Sequence, residues 1–200
     1  MDRHNIVEIA RSAMGGRKGL LTRETGYLFY HGHRVAEIAM RLAAAVEDLD
    51  VEADVLYAAA LFHDVCKGFP SHAETGAELA RILLNEAFEP DSLNDVARLI
   101  GLHNKRREGH ESAGVRVLQD ADVLDHVGAQ SAWLCFLYNA YTEGGPVAAA
   151  DYYQSEENAR FLSGMRDSLN FERSREAFDR RIAVESAFFQ RFRDELNGEL

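Results

Sequence analysis

The chain has 200 residues, of which 46% are hydrophobic, enough to bury the core of a single domain. It carries 33 acidic and 22 basic side chains, and the resulting net charge of −11 argues against polymeric nucleic acid as a partner, because a polyanion would be repelled. No apolar run approaches the roughly 20 residues of a membrane span, and the segment from Met1 to His4 lacks the apolar stretch of a signal peptide, so we expect a cytoplasmic protein without a membrane partner.

The composition predicts an all-helical fold. Only three prolines occur, and alanine, leucine, glutamate and arginine dominate long stretches in which hydrophobic residues recur at helical spacing. Cys66 and Cys135 lie far apart and form no CxxC motif, which predicts two reduced thiols rather than a disulfide framework.

Caps and glycine stops bound the first three predicted helices. They run from Asp2 to Gly15, from about Thr25 to Val46, and from after Asp50 to Gly68 and Pro70. His31 falls on the apolar stripe of the second helix, where a core residue is normal. The third helix is expected to carry His63 and Asp64 in its last turns.

The middle of the chain predicts three more helices. Ser71 to Glu74 reads as a capping box that opens a helix toward Glu86. After Pro90, Asp91 or Ser92 is expected to cap the next helix, which ends near His103. A polar loop from Lys105 to Glu111 then leads to a helix that begins near Ser112 and carries Asp122 and Asp125 on the same face as Leu118.

The last part of the chain predicts a helix from Gly128 through Tyr141, a Gly144–Pro146 loop, and a long terminal helix. Hydrophobic residues recur along one side of that helix between Phe178 and Leu196. The aromatic stripe is expected to pack against the bundle, with a homodimer contact as the alternative.

Histidines and aspartates form the most informative pattern in the sequence. His31, His63, His72 and His103 fall at the ends or on the inner faces of consecutive predicted helices. Any one of them alone would be read as a hydrogen-bonded structural histidine. Buried imidazoles and carboxylates together cost several kcal/mol each unless they are neutralised, and a divalent cation neutralises them all at once.

Three segments resemble the HD-domain superfamily of metal-dependent phosphohydrolases, whose pattern is a histidine, a His-Asp pair and a distant aspartate. They are Leu61–Gly68 around the His-Asp pair, His31–Val35 upstream and Gln119–Asp125 downstream. The resemblance spans about residues 25–130 and implies an HD-domain helical bundle. We therefore expect an N-terminal helix and loop over 1–24, a metal-binding core over 25–130 and C-terminal helices over 131–200, within one domain.

The resemblance implies the ligands of one divalent ion. The spacing before Arg34 and Val35 selects His31 over His33, and the aspartate that follows an alanine selects Asp122. The implied ligand set is His31, His63, Asp64 and Asp122. Two imidazoles and two carboxylates suit Mn²⁺, Fe²⁺, Co²⁺, Ni²⁺ or Mg²⁺. Asp120 and Asp125 are expected to orient the ligands or water from behind.

Several side chains could bind a small phosphorylated substrate. Lys67 follows Asp64 by three residues and, by resemblance, approaches the phosphate; alternatively it is a lysine favoured by the helix dipole. The cluster Lys105–Arg107 either guides an anionic substrate or is a solvated loop, and Arg34 could act like the cluster. His72 and His103 are expected as phosphate contacts or general acids.

His72 and His103 also leave a second ion open, because two-metal members of the superfamily have histidines in comparable places. Asn104 stands where many binuclear phosphodiesterases have another histidine, which favours one metal. His4, His33, His110 and His126 are expected to be structural or exposed.

We therefore expect a metal-dependent phosphohydrolase that acts on a small phosphorylated molecule, most simply a nucleotide, through metal-activated water. The alternatives are a cyclic-nucleotide-type phosphodiesterase, a di-iron oxygenase on the same scaffold, and a non-catalytic signalling module. No GxSxG, P-loop, GxGxxG or HExxH motif supports other chemistries.

Overall fold

The protein is described by a computed structural model that covers residues 2–19, 23–47, 49–106 and 112–199. All regular structure in these ranges is helical, which confirms the all-α prediction. The helices, in chain order, are α1 (Arg3–Met14), α2 (Tyr27–Ala43), α3 (Ala53–Phe62), α4 (His72–Leu83), α5 (Pro90–Leu102), α6 (Ala113–Asp125), α7 (Ala129–Tyr141), α8 (Pro146–Tyr153), α9 (Glu156–Asp167) and α10 (Glu172–Leu196). None of the described helices is long and apolar enough to cross a membrane.

The chain forms two compact units, Met1–Asp122 and Val123–Leu200. In the first unit, α2 packs on α3, α4 packs on α5, α3 also packs on α5, and α1 contacts both α2 and α3. Its core is built from small and branched side chains, with fully buried residues that include Leu28, Val35, Leu56, Phe62 and Leu99. Burial on this scale is the main stabilising contribution to a helical bundle, since helix propensity alone is marginal.

In the second unit, α7, α8 and α10 pack on one another and α9 contacts α8. Phe136 of α7 contacts the rings of Phe188, Phe189 and Phe192 from α10, and Tyr153 stacks on Phe189 with ring centroids 3.9 Å apart. The aromatic stripe of the terminal helix therefore packs within its own unit. A homodimer contact stays a prediction.

The third predicted helix is too long. α3 ends at Phe62, and the residues after it form tight turns in which Val65 N donates to Phe62 O and Lys67 N donates to Asp64 O. Gly68 ends this stretch in the left-handed region, at φ +95°. His63 and Asp64 thus follow the helix rather than lying in its last turns.

The predicted capping box is also wrong. Ser71 precedes α4 with left-handed backbone angles and makes no capping hydrogen bond with its side chain. The Glu74 carboxylate instead pairs with Lys105 Nζ at 2.9 Å, a contact between distant parts of the chain. Two side chains that the sequence pattern assigned to each other therefore have different roles.

The start of α5 differs from its prediction as well. Pro90 is the first residue of the helix, where its missing N–H costs nothing, and Glu89 is the N-cap instead of Asp91 or Ser92. Two shorter helices before α10, α8 and α9, were not expected, and Pro146, predicted to lie in a loop, is the first residue of α8. The Ser155 side chain accepts a hydrogen bond from Asn158 N and starts α9.

Candidate metal centre

The close crossing of α2 and α3 brings the first two histidines together. A Cβ atom at Gly32 would lie 2.2 Å from the backbone oxygen of Leu61, so only glycine allows this approach. His31 precedes Gly32, and His63 follows Leu61 by two residues. Their ring centroids lie 5.0 Å apart in an edge-to-face arrangement.

The other candidate residues come from the ends of α3, α4 and α5 and from α6. His63 is the C-terminal cap of α3, and Asp64 follows it in the tight turns. His72 begins α4, and His103 is the C-terminal cap of α5. Asp122 lies on α6, so five elements of the first unit contribute to one cluster.

One side of the cluster contains the four implied ligands. Asp122 Oδ1 lies 3.3 Å from His31 Nε2 and 3.6 Å from His63 Nε2. Asp64 Oδ2 lies 3.8 Å from His31 Nε2 and 3.7 Å from His63 Nε2. His31, His63 and Asp122 offer ligand atoms that all lie within 4.8 Å of one another, so one cation can contact these three. The structure thus places all four residues together.

The other side of the cluster contains two further histidines. Asp64 Oδ1 lies 3.5 Å from His72 Nε2 and 3.7 Å from His103 Nε2. His63, Asp64 and His103 form a second group whose ligand atoms lie within 4.8 Å of one another. The two oxygens of Asp64 therefore face two different pairs of histidines.

The hydrogen bonds of the histidines show that these residues fit a metal ion. His63 Nδ1 donates to Ala60 O at 2.8 Å, and His103 Nδ1 donates to Ile100 O at 2.7 Å, because a carbonyl oxygen can only accept. The Nε2 atom of each ring is therefore the one directed at the carboxylate oxygens, the arrangement of a histidine that binds a metal through Nε2 while Nδ1 holds the ring. His63 Nε2 is buried and makes no hydrogen bond among the described residues.

The charges within the cluster reinforce one another. Burial acts to lower the pKa of His63, but the charges of Asp64 and Asp122 outweigh burial and raise it. Burial acts to raise the pKa of Asp64, but the nearby His63 and His103 rings and the charge of Lys67 bring it well below its usual range. Asp64 is therefore an anion inside the protein, as a metal ligand must be.

His72 is in a different electrostatic environment. Burial and the positive charge of Lys67 lower its pKa, and its buried Nε2 makes no hydrogen bond among the described residues. Lys67 Nζ itself lies 3.2 Å from Asp64 Oδ2 and 3.3 Å from Oδ1. The structure therefore places Lys67 and His72 beside Asp64; their predicted roles toward a phosphate stay predictions.

In the basic cluster Lys105–Arg107, the two described residues bind groups other than the four candidate ligands. Lys105 is paired with Glu74, and an Arg106 guanidinium nitrogen donates to Gln119 O. Arg107 lies outside the described residues. Arg34 is half-buried on α2, one helical turn after His31. The role of these cations in substrate binding stays a prediction.

The two remaining aspartates have separate positions. Asp120 is fully buried on α6, two residues before Asp122. Asp125 is buried in the second unit, where its charge acts on Arg181 and opposes the lowering of that residue's pKa by burial. Their expected role behind the ligands stays a prediction.

Four further histidines were expected to be structural or exposed. His4 and His126 are exposed and His33 is half-buried, and His110 lies outside the described residues.

Sequence reasoning missed two residues that contact this region. An Arg17 guanidinium nitrogen donates to Val65 O, in the turn that follows Asp64, and the guanidinium lies over the Phe69 ring. Tyr27 stacks on His31 with ring centroids 5.7 Å apart and planes parallel to within 1°. The only sequence signal for Tyr27 is its spacing of four residues from His31 on one helix.

Residues 28–126 match the family model described as "HD domain". No curated protein matches the chain significantly. A "predicted HD superfamily hydrolase" from an uncultured Thermotogales bacterium is 25% identical, with a TM-score of 0.64 over 96% of this chain and 92% of that one.

Two Bacillus structures share the fold at lower identity. An HD-superfamily hydrolase from Bacillus thuringiensis is 20% identical, with a TM-score of 0.68 over 98% of this chain and 99% of that one. YpgQ of Bacillus subtilis, solved in complex with ADP, is 17% identical, with a TM-score of 0.65 over 96% of this chain and 98% of that one. The chain is therefore an HD-domain protein with the fold of the HD-superfamily hydrolases.

Proposed function

We propose that this protein is a metal-dependent phosphohydrolase that cleaves a small phosphorylated molecule, most simply a nucleotide. The observation that carries the proposal is the cluster of His31, His63, Asp64 and Asp122, in which the Nε2 atoms of two buried imidazoles lie 3.3–3.8 Å from carboxylate oxygens. A divalent cation held there supplies Lewis-acid chemistry, since it polarises a phosphoryl oxygen and makes water a stronger nucleophile near neutral pH.

We propose that residues beside the four candidate ligands bind the substrate or transfer a proton. Lys67 is 40% exposed at its side chain and lies beside Asp64, so it can turn its ammonium group toward a phosphate that approaches the cluster. His72 is partly exposed and can exchange a proton with the substrate. Arg34, His103, Lys105 and Arg106 are proposed as further phosphate contacts or as charges that guide the anion.

The nucleotide is the most specific part of the proposal. The ADP complex of YpgQ shows that a protein with this fold accommodates a nucleoside diphosphate. The net charge of −11 is in keeping with a small anion attracted by local cations rather than with a long polyanion. Nucleoside mono-, di- and triphosphates are therefore the first substrates to assay.

The number of ions separates the main proposal from its alternative. We propose one ion bound by His31, His63, Asp64 and Asp122, with Asp64 contributing Oδ2. His72 and His103 both lie near Asp64 Oδ1 and could bind a second ion. This arrangement supports the alternative hypothesis, a di-iron oxygenase. Two irons per chain with an iron-dependent optical band would favour the oxygenase, and one ion per chain would count against it.

The proposal is tested by phosphate release from a nucleotide panel with and without Mn²⁺. Asp64→Ala should abolish metal-dependent release, whereas Glu78→Ala, which changes an exposed carboxylate on α4, should leave it unchanged. A wild-type protein that binds Mn²⁺ but releases no phosphate from any phosphoester would refute the hydrolase assignment.

A further inference from the structure

The candidate ligand His31 stacks with Tyr27 at the start of α2. Tyr27 begins the helix, and its ring lies parallel to the His31 imidazole at a centroid distance of 5.7 Å. Arg23 lies four residues before Tyr27, with its guanidinium carbon 5.3 Å from the centre of the Tyr27 ring. Tyr27 and His31 are four residues apart on α2, the spacing that places side chains one above the next on a helix, whereas Arg23 reaches Tyr27 from the segment before the helix.

The position of Tyr27 is firmly set by its surroundings. Its side chain is buried, with 4% of the residue exposed. Gly26 before it has φ +80°, and a Cβ atom there would lie 2.7 Å from Gly15 O, so the chain enters α2 along a path that only glycine allows. A ring held in this way is a rigid surface against which another ring can be oriented.

Several contacts orient the histidines of the cluster. His63 and His103 each donate from Nδ1 to a carbonyl three residues earlier. On His31, the ring of Tyr27 stacks on the imidazole. Ring orientation matters because a metal ligand bonds along the lone pair of one nitrogen, and groups behind a ligand tune metal affinity by about 10- to 100-fold.

We propose that Tyr27 is a positioning residue that holds the His31 ring with its Nε2 directed at the metal position. This inference rests on the proposed function only through the metal site and assigns Tyr27 no contact with substrate. It predicts that the stacked ring, rather than the phenolic hydroxyl, determines the effect.

Three variants separate this role from general packing. Tyr27→Leu removes the ring and Tyr27→Phe keeps it. Phe29→Leu is the matched control, because Phe29 is also a buried aromatic in the first turn of α2, with 3% exposed, but contacts Tyr30 and His33 rather than a ligand. Mn²⁺ affinity is measured by calorimetry on metal-free protein, and the free energy of unfolding is measured by urea denaturation of the same samples.

We expect Tyr27→Leu to weaken Mn²⁺ binding by about tenfold or more, the range seen when groups behind a ligand are removed. Tyr27→Phe should stay within about twofold of wild type because the stack is retained. Phe29→Leu should destabilise the fold but keep its Mn²⁺ affinity. Mn²⁺ affinity in Tyr27→Leu equal to wild type, or an equal loss in Phe29→Leu, would overturn the inference.

A second readout needs no metal. Because the ring current of an adjacent aromatic side chain shifts nearby proton resonances, the His31 ring protons should resonate alike in wild type and Tyr27→Phe and shift in Tyr27→Leu. Unchanged His31 resonances in Tyr27→Leu would show that the stack is absent. Wild-type protein that binds no Mn²⁺ would instead contradict the proposed function, while the ring shifts would still report on the stack.

Discussion

Gly32 determines how closely α2 and α3 approach, and Gly32→Ala tests whether that crossing builds the metal centre. A Cβ atom at this position would lie 2.2 Å from Leu61 O, whereas ordinary contacts begin at 3.4 Å. The obstacle is a backbone atom, so no side-chain rotation relieves it. The helices must separate by about 1.2 Å, the difference between these two distances.

The separation has a cost in stability and a cost in metal binding. Overpacking costs about 1–3 kcal/mol, and a backbone clash belongs at the upper end of this range. Replacing a helical glycine by alanine returns about 1 kcal/mol, so we expect a net loss of about 2 kcal/mol in the free energy of unfolding. His31 moves with α2 while His63 moves with α3, and a displacement of this size exceeds the roughly 0.5 Å tolerance of a preorganised site.

Gly101→Ala is the control. Gly101 also lies in a helix of the first unit, but its added Cβ would meet only Ala77 Cβ, at 3.9 Å, which is an ordinary contact. This variant should gain up to about 1 kcal/mol in urea denaturation and bind Mn²⁺ like wild type. Gly32→Ala should bind Mn²⁺ at least about tenfold more weakly. Equal Mn²⁺ affinity and equal stability in the two variants would refute the reasoning.

Three further predictions concern the cluster and its surroundings. In thermal unfolding, Mn²⁺ at about 100 times its dissociation constant should stabilise the wild type by about 2.7 kcal/mol, since a ligand stabilises only the state that binds it. The stability of Asp122→Ala should not change on addition of Mn²⁺. An equal shift in both proteins would contradict the assignment of Asp122 as a ligand. Lys67→Met should lower kcat/KM by about 10- to 100-fold, because a charged hydrogen bond to phosphate contributes about 1.5–3 kcal/mol. The control Lys18→Met changes a lysine that the proposal does not use and should leave kcat/KM unchanged. Equal activity of Lys67→Met and wild type would exclude the phosphate contact. Lys105→Ala should lower kcat/KM a few-fold at low salt and not at 0.5 M salt, since exposed charges act through a screened field. Its exposed pair with Glu74 contributes little to stability, so urea denaturation should be nearly unchanged. A loss of activity independent of salt would indicate direct contact with the substrate instead.

Much of the candidate site could be predicted because its residues occur in a fixed order along the chain. The helical periodicity placed His31 on an inward face of α2, and the structure shows it 1% exposed. The His-Asp pair and Asp122 then followed from the resemblance. Such information is local, and each residue was identified from its immediate neighbours in sequence.

The features that the sequence did not predict depend on contacts between distant residues. Leu61 to Lys67 contains no helix breaker, yet α3 ends at Phe62, and Arg17 binds the Val65 carbonyl in the turn that follows. Glu74 pairs with Lys105 rather than with the cap of its own helix. The division of the Asp64 oxygens between two histidine pairs also depends on where α4 and α5 end.

The most direct test of the central claim is a crystal structure of the protein with Mn²⁺, with the ion located by its anomalous scattering. The account predicts a peak that contacts His31, His63, Asp64 and Asp122. No peak at this cluster, or an ion that leaves out His31 or Asp122, would contradict it.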